Sequence, residues 1–359
     1  MDGGKRPLTI CAYFVLDFSL ETSKDRLCAT VIRSNGKPMP LTSLELCAGA
    51  GGQAIGLEAA GFEHRAVVEI DKDCCDTLRL NRPKWNVIEA DIRRFKAKPY
   101  RGIDLLAGGL PCPPFSIAGK RLGEKDERNL FPAALRIIEQ AEPRAVMIEN
   151  VRGFLEAAFE DYREGLRSKL FNMGYMTGWR LLNASDFGVP QLRPRVIIVA
   201  LRKDLWDRFD WPQVATQNPH TVGESLLSLM GARGWPGAKA WAQHADDIAP
   251  TLVGGSKKHG GPDLGPTRAK RAWASLGVDG MGIANDAPGS HDSISLKPRL
   301  TVPMVAKIQG FPDDWRIAGR KTAAYRQIGN AFPPPVARAV AVKVMEALTV
   351  RRNLRAVAA

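Results

Sequence analysis

Residues 41–200 alternate short apolar runs with longer amphipathic stretches. Thr42–Cys47, Glu63–Glu69, Trp85–Ile88, Ile103–Ala107, Ala145–Ile148 and Val196–Leu201 are short and rich in apolar residues, so they predict strands. Between them, Gln53–Ala60, Lys72–Asn81, Leu130–Gln140 and Tyr162–Met173 have helical periodicity. Strand–helix alternation over this length predicts an α/β fold: a doubly wound, mostly parallel sheet with helices on both faces. Ligand sites in such sheets lie at the carboxyl ends of the strands. Gly49, Glu69, Asp91, Cys112 and Glu149 each follow a predicted strand, so they should converge on one edge of the sheet.

The texture changes from about residue 203 to 297. Asn218-Pro219-His220, Gly234-Trp235-Pro236-Gly237 and the glycine-flanked run 254–262 are loop signals, and helical periodicity is weak. A smaller, loop-rich second module with short strands is predicted over 206–295. Periodicity returns at Met304–Gln309 and Pro335–Leu348, which predict helices. The expected division is a main domain of 41–205 plus 326–359, the module at 206–295, and a return segment at 296–325. Residues 1–40 fit neither part and read as an N-terminal extension. There is no internal repeat and no low-complexity segment.

With 359 residues the chain can bury one large core, or one core and a smaller module. No apolar run approaches the ~20 residues of a membrane span. Leu8 to Leu20 is apolar, but Asp17 interrupts it and no small-residue cleavage site follows, so the expected location is cytoplasmic. Six cysteines occur without a CxxC pair or a histidine at ligand spacing, which predicts a reduced thiol protein with no metal. Cys47, Cys74 and Cys75 read as small buried hydrophobes. The formal charge is +13, and residues 301–359 hold ten Lys/Arg against three Asp/Glu. Such a surplus attracts polyanions, nucleic acid foremost. A solvated basic tail at Arg351, Arg352 and Arg355 is the plainer source of part of it.

Candidate chemistry sits in four places. Gly49-x-Gly51-Gly52, between a strand and a helix, allows close backbone approach to a ligand at a helix N-terminus. Glu69 and Asp91, ending the next two strands, suit a ribose and the edge of a base, or else cap helices. Cys112 stands between prolines in Gly108-Gly109-Leu110-Pro111-Cys112-Pro113-Pro114, a stiff loop at a strand end that suits a nucleophile. Glu149 is then a candidate acid. Gln191-x-Arg193-x-Arg195 sets two guanidinium forks on one strand face, for phosphate or carbonyl recognition or for surface ion pairs. Asn330, before the last helix, is placed to cap it.

In order and over nearly all of residues 41–350, these segments resemble the DNA (cytosine-5)-methyltransferases of bacterial or phage type. Cys47-Ala48-Gly49-x-Gly51-Gly52 is similar to the family's S-adenosylmethionine loop, Pro111-Cys112 to its nucleophile motif and Glu149-Asn150-Val151 to its ENV motif. Gln191-x-Arg193-x-Arg195 resembles QxRxR, and Gly329-Asn330 the terminal GN. Arg299-Leu300-Thr301 with Gln309-Gly310-Phe311-Pro312-Asp313 is similar to the segment before it, and Ala249-Pro250-Thr251-Leu252 to the Thr-Leu element of the target recognition domain. Cys47 stands where the family usually has Phe, Pro113 where it has Gln, Ala331 where Ser is common and Phe332 where Val is common.

The resemblance implies the Rossmann-like fold of S-adenosylmethionine-dependent methyltransferases, with 206–295 as target recognition domain and 296–325 as hinge. It implies methyl transfer to C5 of cytosine in a specific double-stranded DNA sequence. Cys112 would add to C6 of a flipped-out base, Glu149 would bind N3 and the exocyclic amine, and Arg195, with Arg193 nearby, would hold O2. Cofactor contacts would come from Cys47, Ala48, Gly49, Gly51, Gly52, Glu69, Ile70, Asp91, Ile92, Gly109, Pro111, Leu130, Asn330 and Ala331. DNA contacts would come from Ser116, Lys120, Arg121, Thr251, Lys257, Lys258 and Arg268. The implied protein is a monomer on DNA in the bacterial nucleoid, with a cognate restriction endonuclease acting separately. An RNA cytosine methyltransferase of the same fold would share the motifs, against which stands a variable module of about 95 residues, ample for a major groove. A non-catalytic nucleic-acid-binding relative would have lost Cys112 or Glu149, and both are present.

Overall fold

The computed structural model describes residues 31–32, 38–110, 129–214, 219–255, 261 and 263–349. Two short strands, β1 (Val31–Ile32) and β2 (Pro38–Met39), pair antiparallel ahead of the main sheet. The main sheet contains β3 (Leu41–Leu46), β4 (Phe62–Glu69), β5 (Val87–Glu89), β6 (Leu105–Gly109), β7 (Ala145–Val151), β8 (Tyr175–Asn183) and β9 (Pro194–Arg202). Their order is β5-β4-β3-β6-β7-β9-β8. Only β9 runs against the others, pairing antiparallel with both β7 and β8. The order reverses between β3 and β6, which opens a crevice at their carboxyl ends.

The strands are apolar on both faces because helices cover both. Leu105, Ala107, Met147, Ile197 and Val199 face α1 (Gly52–Ala60) and α10 (Pro334–Thr349), burying Leu57, Val340, Ala341 and Val344. The alternate residues Leu106, Ile148, Val196 and Ile198 face α3 (Phe131–Ala141) and α4 (Glu160–Asn172), with Ile137, Ile138, Leu166 and Leu170. This alternation is the two-residue period of a strand read against two helical layers. On the third side, α2 (Lys72–Asn81) follows β4 with Asp71 as its N-cap, accepting from the Asp73 amide at 3.1 Å.

The predicted strands and helices of 41–200 are present, with ends displaced by at most three residues. The edge strand β8 was not foreseen. Its polar and glycine positions, with Arg180 and Leu181 exposed, hide the strand pattern. The second module also departs from expectation. It is built of α5 (Val222–Gly231), α6 (Ala238–His244) and α7 (Thr267–Ser275), and among the described residues 203–297 only isolated bridges replace the expected strands. Its Trp241, Trp273, Leu226 and Met230 share one apolar cluster with Leu300, Met304, Val305 and Ile308 around α8 (Val302–Ile308). The same cluster reaches Tyr325 and Ile328 of α9 (Lys321–Asn330), and Ala50 and Leu78 beside α1 and α2. Asn330 is corrected too: it is the last residue of α9 and does not cap α10.

Candidate active site

Between β3 and α1 the backbone turns through left-handed conformations at Cys47 (φ 53°), Gly49 (φ 55°) and Gly51 (φ 89°). Such angles cost a residue with a side chain about 1–2 kcal/mol, so the single non-glycine, Cys47, is held there by its surroundings. Gly52 follows, where a Cβ would lie 2.1 Å from the Phe332 carbonyl oxygen. Glu69 anchors the turn: its Oε2 accepts from the Gly49 amide at 2.8 Å and its Oε1 from Ile70 and Asp71 at 2.7 Å each. A carboxylate oxygen can accept more than one donor, so Oε2 keeps capacity for a ligand hydroxyl. Asp91 accepts from the Arg93 amide at 2.9 Å and pairs with its guanidinium at 2.6 Å, which lowers the carboxyl's pKa.

These residues line a cavity of about 960 Å³ at the crevice, together with Ala48, the exposed Ile70, Ile92, Gly109, Leu130, Asn330 and Ala331. Gly51 and Gly52 shape the turn without lining it. At its other end stand Glu149 and Arg195, joined Oε1 to Nε at 2.7 Å. They meet because β9 is antiparallel: the start of β9 lies beside the end of β7, with Arg195 opposite Val151. Burial raises the Glu149 pKa, and the charges of Arg195 and Arg193 oppose the rise.

Arg193 does not present a fork to the cavity beside Arg195, and that part of the expectation is corrected. It is 1% exposed and does not line the cavity. Its Nη1 donates to the Leu252 carbonyl at 2.7 Å, and its Nη2 to those of Gly329 (2.7 Å) and Ala331 (3.1 Å). Gln191 works alongside it, accepting from the Leu252 amide at 2.9 Å and donating to Gln309 Oε1 at 2.8 Å. Gln309 in turn donates to Ala331 O at 2.5 Å. Strand start, module and terminal motif are thus tied together by one buried knot. The backbones cross so closely that a Cβ on Gly329 would lie 2.6 Å from Gly254 Cα. Thr251, expected on DNA, lines the cavity, and its hydroxyl donates to the Leu192 carbonyl at 2.5 Å. Asn330 donates to Gly255 O at 3.1 Å.

Arg268 is exposed on α7 and does not line the cavity. Pro111, Cys112, Ser116, Lys120, Arg121, Lys257 and Lys258 lie outside the described residues. Of the cysteines expected in the core, Cys74 and Cys75 are buried, while Cys47 is half-buried on the cavity wall. Among the lining residues missed by sequence reasoning are Glu45, Gln53 and Arg326. The signal for Glu45 was an acid inside the otherwise apolar strand Leu44–Leu46.

A crevice at a doubly wound sheet's switch point, with a glycine turn on one side and a buried acid–guanidinium pair on the other, defines the class. It is the Rossmann-like fold of S-adenosylmethionine-dependent methyltransferases, to which the solved structural neighbours belong. The Spodoptera frugiperda DNMT2 structure matches with a TM-score of 0.57 at 20% identity, covering 86% of this chain and 99% of that one. The chain belongs to the C-5 cytosine-specific DNA methylases, whose family model matches residues 41–346. It is 55% identical over 312 residues to Type II methyltransferase M.NaeI of Lentzea aerocolonigenes, covering 86% of this chain and 75% of that one. It is 52% identical over 313 residues to Type II methyltransferase M.NgoMIV of Neisseria gonorrhoeae, covering 86% and 99%. The protein is therefore a DNA cytosine-5 methyltransferase. Among the described residues no group of side chains is arranged for a metal ion, and no helix is long and apolar enough to cross a membrane.

Proposed function

We propose that this methyltransferase modifies a specific double-stranded sequence, with S-adenosylmethionine as methyl donor and Cys112 as covalent nucleophile. The single observation that carries the reading is one continuous cavity with Glu69 and Asp91 at one end and the Glu149–Arg195 pair at the other. The cavity's residues fit the donor. Glu69 keeps acceptor capacity for ribose hydroxyls, Asp91 and Ile92 bound a flat base, and Ile70 offers an apolar surface to it. When bound, the cofactor supplies an electrophilic methyl group.

C5 of cytosine is a weak nucleophile inside an aromatic ring. Addition of the Cys112 thiolate to C6 gives C5 enamine character. Glu149 has the right environment for the base's polar edge. Burial favours its protonated form, which donates to N3 while its other oxygen accepts from the exocyclic amine. Arg195 Nε holds Glu149 in register and its Nη1 donates to the Pro194 carbonyl at 2.9 Å, leaving Nη2 to meet O2. Once C5 has bonded the methyl group, loss of its proton to solvent re-forms the C5–C6 double bond and expels the thiolate. The atoms involved are unreachable in a duplex, so the base flips out. The surplus charge of the chain and exposed Arg268 support phosphate contacts, and the Type II relatives support a restriction endonuclease acting separately.

The test is trapping on duplex DNA containing 5-fluorocytosine, where loss of the C5 proton is blocked. A denaturant-resistant adduct that requires S-adenosylmethionine is expected for the wild type and not for Cys112→Ser. An adduct formed equally by Cys112→Ser would overturn the assigned nucleophile.

A further inference from the structure

The glycine turn is supported by a side chain that does not itself reach the cavity. Trp315 ends the segment Gln309-Gly310-Phe311-Pro312-Asp313-Asp314-Trp315 after α8, is 6% exposed and does not line the cavity. Its indole Nε1 donates to the Ala50 carbonyl at 3.1 Å, 265 positions away along the chain. Ala50 stands between Gly49 and Gly51, the two left-handed glycines of the turn. The same ring packs against Gly51, where a Cβ would lie 3.0 Å from Trp315 Cζ2.

The glycines make that support necessary. Glycine takes negative φ about as readily as positive. The peptide joining Ala50 to Gly51 can therefore rotate at little local cost, carrying Gly51 from φ 89° to negative φ. In the observed orientation both polar groups of this peptide are satisfied. Its N–H, on Gly51, donates to the Ala48 carbonyl at 3.0 Å, and its carbonyl accepts from Trp315. Rotation would strand both, and Ala50 is fully buried. The peptide joining Ala48 to Gly49 is gripped by Glu69, through the Gly49 amide. Glu69 lines the cavity and Trp315 does not, so the turn is held from within the cavity and from outside it. The ring is fixed in its turn. The Arg82 guanidinium lies 5.2 Å from its centroid and 5.8 Å from that of Trp85, and pairs with Glu58 of α1 at 2.8 Å. Asn81, the last residue of α2, clamps the backbone of the next residue, Arg316, donating to its carbonyl at 2.6 Å and accepting from its amide at 2.9 Å.

We propose that Trp315 is a positioning residue for methyl transfer: its N–H selects the one orientation of the Ala50–Gly51 peptide in which the glycine turn can seat the methyl donor. The inference rests on the S-adenosylmethionine reading and adds to it a residue that acts through the turn. A turn free to rotate spends part of its time in a state that cannot receive the cofactor, and the apparent affinity falls by that fraction. Saturating cofactor refills the competent state, so turnover at saturation is kept. Loss of the N–H therefore raises KM for the cofactor and spares both kcat and KM for DNA. A ring that only filled the space beside Gly51 would give no such split, since its loss would lower stability and leave the kinetics of the folded molecules unchanged.

The experiment replaces Trp315 in the full chain by 3-benzothienylalanine, which keeps the bicyclic ring and sets sulfur where the N–H stands. KM for S-adenosylmethionine should rise about tenfold, the effect of one hydrogen bond lost at a buried acceptor. The Kd for S-adenosylhomocysteine, read by calorimetry without turnover, should rise by the same factor. At saturating cofactor, kcat and KM for duplex DNA should stay within about twofold of the wild type, because the competent state is refilled. Trp315→Phe loses the N–H and part of the ring, and should show the same split with a lower urea midpoint. Replacement of Trp315 by 5-fluorotryptophan keeps the N–H and should behave as the wild type. Unchanged cofactor KM and Kd in either variant that lacks the N–H overturns the inference and leaves the cofactor reading standing. So does a larger fall in kcat, or an equal shift in the 5-fluorotryptophan protein. Failure of both N–H-deficient variants to fold also overturns it, because the indole would then serve the fold alone. Failure of the wild type to bind S-adenosylmethionine overturns both readings.

Discussion

At the scale of single residues, the site is a set of acids held in different states by different neighbours. Glu149 keeps its size and its Arg195 contact in Glu149→Gln but loses a proton that can be given and returned. Methyl transfer should fall roughly 10²–10⁴-fold, the usual yield of a positioned acid. Cofactor affinity, measured by calorimetry, should stay within about threefold by the same reasoning, since Glu149 stands at the far end of the cavity. Equal loss of both would mean that Glu149 builds the pocket and does not act on the base. Glu45 carries a second prediction, about stability. Its folded pKa is raised above the ordinary value of 4.5, so the folded protein binds more protons than the unfolded chain above that pH. Its contribution is fully present below pH 4.5 and lost as pH rises toward the folded value. Cofactor-free Glu45→Gln should therefore match the wild type near pH 4.5 and exceed it increasingly toward pH 8, read from urea midpoints. A gap that shrinks with rising pH would contradict the assignment. Neither state was visible in the sequence. Glu45 sits in a strand whose pattern says only that it is buried, and what remains unpaired there is a property of α1 and β4 packed around it.

At the scale of elements, the segment leading into β9 divides its labour between two arginines two residues apart. The alternation of the strand places them correctly on one side, but the chain crossing at Gly254 and Gly329 closes over Arg193 and leaves Arg195 at the cavity. Arg193→Lys replaces a planar fork that serves three carbonyls by a single ammonium, with an expected cost of roughly 1–3 kcal/mol for acceptors left unsatisfied. Turnover per folded molecule should barely change. Arg195→Lys should do the reverse, lowering turnover with little effect on the urea midpoint. If Arg193→Lys abolishes turnover in fully folded protein, the knot is more than a support. The helices of the module show how much was legible. Thr221-x-x-Glu224 is a reciprocal capping box, with Thr221 Oγ1 accepting from Glu224 N at 3.2 Å and Glu224 Oε2 from Thr221 N at 2.9 Å. That signal stood in the sequence and marks the start of α5. The glycines and prolines around it gave the module its loop-rich look, though they bound short helices instead of strands.

At the scale of the whole molecule, the sheet and its site edge were readable because strand–helix alternation depends on local pattern alone. Where the module ends was not, because its boundary is set by packing between distant segments. Trp241 and Trp273 pack with Leu300, Met304 and Ile308, which lie past residue 295. This gives a prediction for domain exchange. Replacing 206–295 by the corresponding stretch of a relative with another target should move methylation to the donor's site, read by bisulfite sequencing. The chimera should be less stable than one exchanging 206–309, because the shorter exchange sets foreign helices against the resident α8. Activity confined to the original site in both chimeras would place specificity outside the module.

The packing of α10 on α1 has a consequence in time. The helix that carries the glycine turn, at residues 52–60, is synthesised well before its covering helix at 334–349. Until then Leu57 and the inner face of β6 lack their Val340 and Ala341 neighbours, and the Phe332 carbonyl that closes on Gly52 has not been made. A nascent chain on the ribosome therefore cannot hold a finished pocket, however long its folded sheet has existed. The site is complete only once α10 has been made and has packed on α1. Termination before α10 yields a protein with every motif and no finished site.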